Sequence, residues 1–446
     1  FKQKTAYEIS LGLVGSEMCI RDRDRVGPWI VKLERLVRFL DRYDPERKFK
    51  FSGQLRERFE RLAGSVKDSF IDEMVKSDLR TSIRWVNTFK EVVDETIEEL
   101  NLRGVSFPKE FKSFIEDPRA HLRKKLFNYF YDLLRGKITP TDFMEKGRAA
   151  ITTSLKTNMR SIYQYWCFLA MLRLFQRFHG SMKMIYPEHG YIPLDRWGKQ
   201  RVRTIPPNLV LALGDKALSF FIEAPRPIGW GDTKDLKKAW SLYTSLRPDL
   251  LVYGGIVLDI VRLGEEPPIL KPDLIVEFKE LSDWYKRARE VRGPLAKPLS
   301  AEEWRSRWIE GLWTGLADIL GVKRSEVVEK VTPRGVRLKE VQLVSLYKKI
   351  YEPREVIVIS RMKTPREVKK DLRRAGVRVI DGIGFKPERL KDVVDILLSA
   401  AKPAGSISVT LDTETLELLQ EYAKLRGLTS YEVAIREALR EVLKSM

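Results

Sequence analysis

The sequence predicts a multidomain chain with an N-terminal all-α domain, a central α/β core and a C-terminal module of one strand and two helices. Three observations predict it. The 446 residues exceed the usual size of one domain. Apolar residues keep helical spacing through the first third, then give way to short strand-like runs alternating with helices. A Pro- and Gly-bearing linker, 401–406, precedes a final strand–helix–helix pattern. The units are placed at 24–148, 149–400 and 401–446.

The first element is set aside. Residues 1–23, FKQKTAYEISLGLVGSEMCIRDR, resemble the translated sequencing-adapter string found in metagenomic reading frames. They are treated as extraneous, and the native chain is expected to begin near Asp24. From 26 to 136 the pattern is helical, opening with Trp29, Ile30, Leu33, Leu36, Val37 and Leu40. It continues through Phe70–Leu100 and closes on an acidic run, Glu91 to Glu99, which is read as a solvated helix face. Residues 150–178 form a second helical pattern, apolar on most sides and therefore expected to be buried on more than one.

Next come the short runs Leu209–Leu213 and Leu218–Ile222, a helical pattern at Asp235–Thr244, and three strand-like runs, RPDLLVYGG, VLDIVRL and KPDLIVEFKE. Helices are predicted at Ala301–Leu320, Leu338–Ile350, Thr364–Ala375 and Pro387–Ala400, with strands at 354–360 and 377–380. Such alternation predicts parallel pairing in the core.

Composition narrows the function. No apolar run is long enough to span a bilayer, so no membrane partner is expected. Cys19 and Cys167 have neither metal-ligand nor disulfide spacing, which points to a reducing, cytoplasmic setting. His121, His179 and His189 lie far apart, which argues against zinc. The net charge of +20 points to nucleic acid. The charge is clustered, at +11 over residues 121–210 and +6 over 361–380, against −1 over 401–446. A uniformly basic coat would spread more evenly.

Within KPDLIVEFKE, strand alternation puts Asp273, Ile275, Glu277 and Lys279 on one face. Asp249 opens an earlier strand, and antiparallel pairing would set it beside Glu277. Two carboxylates and a lysine suit phosphodiester hydrolysis. The carboxylates hold a hard divalent cation, Mg²⁺ or Mn²⁺, and the lysine offsets charge developing on phosphorus. Asp273 is the alternative first carboxylate; Asp249 is favoured because Asp273 is too near Glu277 in the same strand.

These residues resemble the PD-(D/E)xK nuclease superfamily, which implies a restriction-endonuclease-like core. Asp249, Glu277 and Lys279 would be catalytic, and the metal would sit on Asp249, Glu277 and the Phe278 carbonyl. The helix IYQYWCFLAML resembles the Tyr-acid-x-Trp helix of McrC-like restriction components, through Tyr163, Tyr165 and Trp166. Gln164 stands where that family has Glu, so Gln164 and Glu223 are auxiliary candidates. A separate NTPase subunit is implied if that likeness holds. RecB-like members carry a Gln-x-x-x-Tyr helix contacting DNA; Gln342 and Tyr347 are spaced one residue wider, leaving Gln342 as the DNA-contact candidate. Arg361, Lys363, Arg366, Lys369, Lys370, Arg373 and Arg374 form a basic stretch suited to a phosphate backbone, or equally to a solvated helix.

Residues 405–446 resemble the ribbon-helix-helix fold of CopG- and Arc-type regulators. Ile407, Val409 and Leu411 take one strand face, and Ser406, Ser408 and Thr410 the other. The resemblance implies a homodimer whose paired strands enter the major groove. The outward face carries hydroxyls but no Arg, Lys, Asn or Gln. Three readings stay open: dimerisation with DNA contact, dimerisation alone, or a plain helical hairpin. For the whole chain two functions follow, a dimeric metal-dependent DNA endonuclease of a restriction or mobile-element system, or a non-catalytic DNA-binding protein on a nuclease scaffold.

Overall fold

The computed structural model describes residues 27–180, 182–194, 205–224, 247–262, 269–291, 336–404, 407–408, 411–428 and 430–445. The adapter-like segment and the helices expected at Asp235–Thr244 and Ala301–Leu320 lie outside the described residues.

An N-terminal helical region leads into a central mixed sheet and ends in two C-terminal helices. The first part holds α1 (Pro28–Tyr43), α2 (Gly53–Glu99), β1 (Gly104–Ser106), α3 (Lys109–Glu116), α4 (Pro118–Lys125), α5 (Phe127–Leu134) and α6 (Pro140–His179). Pro28 opens α1 at a position where its missing N–H has no helical partner to lose. Trp29, Leu33, Leu36 and Leu40 then line its buried face. Within α2 the helix breaks its regular geometry at Val75 (φ −142°, ψ 24°), so its 47 residues bend around the core.

Helix α6 organises the molecule. Thr139 and Asp142 form a reciprocal capping box, Pro140 follows the cap, and Gly180 ends the helix in the left-handed region at φ 60°. Residues 162–175 are buried without interruption, as their all-round apolar character predicts. The boundary placed between 148 and 149 falls inside this helix, and one continuous core joins α1 and α2 to the sheet.

The remaining elements are β2 (Met182–Tyr186), β3 (Tyr191–Pro193), β4 (Leu209–Leu213), β5 (Lys216–Ile222), β6 (Leu250–Gly254), β7 (Ile256–Val257), β8 (Leu274–Lys279), β9 (Ala288–Val291) and β10 (Val336–Lys339). After them come α7 (Glu340–Tyr351), β11 (Glu355–Ser360), α8 (Arg366–Arg374), β12 (Val377–Asp381), α9 (Lys391–Ser399), β13 (Lys402–Pro403), β14 (Ile407–Ser408), α10 (Thr413–Leu425) and α11 (Tyr431–Ser445). The main sheet runs β12-β11-β8-β6-β5-β4-β2, with β13 also on β5. Strands β8, β11 and β12 are parallel, as the alternation predicts, while β8-β6, β6-β5, β5-β4 and β4-β2 are antiparallel. Leu274, Val276 and Phe278 of β8 join the core containing α6, and Ile275 joins the one containing α7.

Several sequence expectations need correction. VLDIVRL is not a continuous strand: only Ile256–Val257 extends as one, and Val261 makes an isolated bridge to Ile269. Leu338 belongs to β10, so the next helix starts at Glu340. Pro387–Leu390 is a 3-10 turn ahead of α9. The expected linker 401–406 is partly a strand, because Lys402 and Pro403 pair with Ala217 and Lys216. The acidic end of α2 is not wholly a solvated face. Glu95 and Glu99 clamp the buried Arg173 of α6, and Glu99 also holds Arg177. The hydrogen bond from Arg173 takes the Glu99 carboxyl down to about 2.

Candidate active site

The site forms where β6 and β8 begin to part. Their antiparallel register pairs Leu250 with Val276, so one step further Asp249 faces Glu277. The Asp249 N–H donates to Glu277 Oε1 (2.9 Å), and the Phe278 N–H donates to Asp249 Oδ2 (2.9 Å). Lys279, two residues along the same strand face, donates from Nζ to Glu277 Oε2 (2.7 Å). Asp249, Glu277 and Lys279 are all buried. Burial excludes all three from water, so each charge depends on its neighbours.

Two residues not anticipated from sequence complete the cluster. Arg160 of α6 donates from Nη2 to Asp249 Oδ1 (2.7 Å). Glu340, the first residue of α7, accepts from Lys279 Nζ (2.7 Å), so the ammonium lies between two carboxylates. The Lys279 ammonium also lies 5.9 Å from the centre of the Trp284 ring. A sequence signal existed for Arg160: it is four residues before Gln164, hence on the same helix face. Glu340 opens a helix whose start was misplaced by two residues, which hid its position.

The environments push the two acids apart. Burial opposes charge on Asp249, but Arg160, Lys279 and the Phe278 N–H outweigh it and hold this carboxyl below the usual range. Burial, then the Asp249 charge, pushes Glu277 above its usual range despite Lys279. Burial likewise raises Glu280, the next residue after Lys279. Arg160 is held even more firmly as a cation, chiefly by Asp249.

The auxiliary candidates separate. Gln164 reaches the site, donating from Nε2 to the Asp249 carbonyl (3.3 Å). Glu223 touches the same carbonyl through its own N–H (2.8 Å), from a left-handed backbone at φ 48°, and its side chain lies 3.6 Å from Arg247. Asp273 is elsewhere: its carboxylate accepts from the Gly254 N–H (2.8 Å) and from Lys402. It fastens β13 to the sheet. Gln342 caps its own helix by accepting from the Lys339 N–H (2.9 Å). Tyr347 is buried and donates to the Arg247 carbonyl (3.1 Å), bracing the loop that carries Asp249.

In the basic stretch, Arg361 turns inward, donating to the Glu280 carbonyl (2.7 Å) and lying over Trp85. Lys369 pairs with Asp381 (3.2 Å) and Arg374 with Asp371 (3.6 Å). Lys363, Lys370 and Arg373 are exposed. Arg366, Lys369, Lys370, Arg373 and Arg374 follow helical spacing on one side of α8, opposite the buried Leu372. Ser406 and Thr410 lie outside the described residues. Ser408 lies in β14, which pairs in parallel with β7.

Among the described residues no group of three or more His, Cys, Asp or Glu side chains converges as a metal site. Mg²⁺ needs only one or two carboxylates and keeps its remaining waters. Asp249, Glu277 and a main-chain oxygen meet that need, all with oxygen donors. The Phe278 carbonyl leaves its strand on the same side as the N–H that meets Asp249, as both groups of one strand residue do. The residues therefore fit an Mg²⁺ or Mn²⁺ ion in donor chemistry.

The geometry defines a buried acid–acid–lysine cluster on adjacent strands, joined to a distinct C-terminal unit. In that unit a family model described as ribbon-helix-helix protein, copG family, matches residues 406–444. The chain carries a ribbon-helix-helix domain there. Asp412 caps its first helix by accepting from the Thr415 N–H (2.7 Å). No curated protein and no solved structure matches the chain. Among the described residues, no helix is long and apolar enough to cross a membrane.

Proposed function

We propose that the chain is a metal-dependent DNA nuclease of the PD-(D/E)xK kind, joined into a dimer by its ribbon-helix-helix domain. One observation carries the reading: Asp249, Glu277 and Lys279 come together, buried and hydrogen-bonded, at the end of two neighbouring strands. Asp249, Glu277 and the Phe278 carbonyl would hold Mg²⁺ or Mn²⁺, which supplies a polarised phosphate and a more acidic water. Lys279, fixed by Glu277 and Glu340, would offset the negative charge that builds on the phosphoryl oxygens as a fifth oxygen joins phosphorus. The net charge of +20 and the stripe on α8 favour a polyanionic substrate.

Ribbon-helix-helix domains bind DNA and pair as dimers, and α10 and α11 leave Leu418, Leu425, Leu439 and Val442 exposed. One strand and two helices cannot cover such side chains alone. The test is nicking of supercoiled plasmid with Mg²⁺ or Mn²⁺. Glu277→Ala and Lys279→Ala should each remove it; undiminished cleavage by both rejects the reading.

A second reading, a DNA-binding protein on an idle nuclease scaffold, also has a specific basis. Each of the four carboxylate oxygens of Asp249 and Glu277 already has a protein partner. Gln164 offers its amide nitrogen to this site, where an acid would add a metal ligand. Salt-sensitive DNA binding without metal-dependent hydrolysis would establish it.

A further inference from the structure

Arg160 occupies an unusual position for a counter-ion. It sits on the long helix α6, while the acid it holds immediately precedes β6. The Arg160 side chain is 36% exposed and that of Asp249 2% exposed, so the side chain runs between solvent and a buried carboxylate. Among the described residues, the contact from Nη2 to Asp249 Oδ1 (2.7 Å) is the one hydrogen bond of this side chain. Its other N–H groups are thus open to a further acceptor; a guanidinium has five, in a planar fork that matches phosphate.

A divalent cation on Asp249 and the Arg160 guanidinium would meet at the same carboxylate, and the two positive charges repel. Lys279 meets the same repulsion at Glu277 Oε2 (2.7 Å), but a second carboxylate, Glu340 (2.7 Å), retains it in place, and Arg160 has no second carboxylate within hydrogen-bond reach among the described residues. Arg160 is therefore the cation free to yield. We propose that Arg160 is a movable counter-ion: it neutralises Asp249 in the metal-free protein and passes to a phosphate oxygen of the nucleic acid when a divalent cation takes the carboxylate. The inference rests on the nuclease reading above. It assigns Arg160 a place against the substrate and makes the metal and the substrate phosphate cooperate. Metal binding frees the guanidinium, and the phosphate then keeps it from returning.

The experiment is calorimetric titration of Mn²⁺ into the full chain, for wild type, Arg160→Met and Arg160→Lys, alongside plasmid cleavage. Methionine keeps an apolar stem and removes the charge. Arg160→Met should bind Mn²⁺ about tenfold more tightly, since a competing cation is gone, yet cleave about 100-fold more slowly, the usual loss for one transition-state donor. Arg160→Lys should bind Mn²⁺ like wild type and cleave at an intermediate rate. A merely structural arginine would lower both quantities together. Unchanged or weaker Mn²⁺ binding by Arg160→Met, with wild-type melting, overturns the inference and leaves the nuclease reading standing. Should that variant melt early, Arg160→Gln makes the same comparison. Wild-type protein that binds no Mn²⁺ overturns the nuclease reading and the inference with it.

Discussion

Replacing Lys279 by methionine isolates the energetics of the buried cluster. The ammonium serves two carboxylates, Glu277 and Glu340, each 2.7 Å away, with side-chain exposures of 5% for Lys279, 2% for Glu277 and 12% for Glu340. Removing one partner of a buried ion pair costs about 3–5 kcal/mol, because the remaining charge stays buried without compensation. Two acids are stranded here, so the upper half of that range is expected near pH 8.

The loss should depend on pH in a defined direction. Glu277 already titrates above the usual carboxylate range through burial and Asp249, and losing Lys279 moves it further up. A carboxyl raised in the folded state destabilises it above the folded value and is relieved as pH falls through that value, since the folded chain then binds the extra proton. Urea denaturation of wild type and Lys279→Met, followed at pH 8 and pH 5, reads both effects. The variant's deficit should shrink by at least about 1.4 kcal/mol on acidification, one pKa unit's worth. A deficit that is the same at both pH values, or below about 1 kcal/mol, refutes the placement of Lys279 between two buried acids.

Other outcomes follow from neighbouring features. Asp273→Ala frees Lys402 and the Gly254 N–H but leaves the acid cluster alone; plasmid cleavage should persist with a stability loss of about 1–2 kcal/mol, whereas Asp249→Ala should end cleavage. Gly254→Ala would drive a Cβ into the Ala400 carbonyl oxygen; melting should show a loss of about 1–3 kcal/mol, and a neutral result would contradict that close approach. Ending the chain after Ala404 should convert a dimer to a monomer by light scattering. DNA affinity should fall steeply between 50 and 200 mM salt, roughly 10³-fold if six phosphates are neutralised, as fluorescence anisotropy would record.

Much of this arrangement was legible in the sequence because it follows from local periodicity. The alternation in KPDLIVEFKE put Glu277 and Lys279 on one face, and the pair meets in space. The uninterrupted apolar stretch of α6 announced its burial. What was illegible depends on chain crossings. Nothing in the order of residues tells that Arg160 reaches an acid 89 positions later, or that Glu340 meets Lys279 across 61. The acidic run at 91–99 read as a solvated surface because its partners, Arg173 and Arg177, lie on another helix. Short extended pieces such as Lys402–Pro403 also escape a pattern of period two, being only one repeat long.

That last strand has a mechanical consequence. Lys402 pairs with Ala217 and also binds Asp273, while the Ala404 N–H donates to the Asp215 carbonyl, so the chain stays fastened to the sheet up to residue 404. The domain match begins at residue 406. The first strand of that domain, β14, then pairs with β7, so residues 407 and 408 are fastened to the central region as well. In a dimer built through that domain, the two acid clusters would be held at a nearly set span. The distance between nicks on opposite strands would then behave as a ruler length, and inserting flexible residues after Ala404 should blur it.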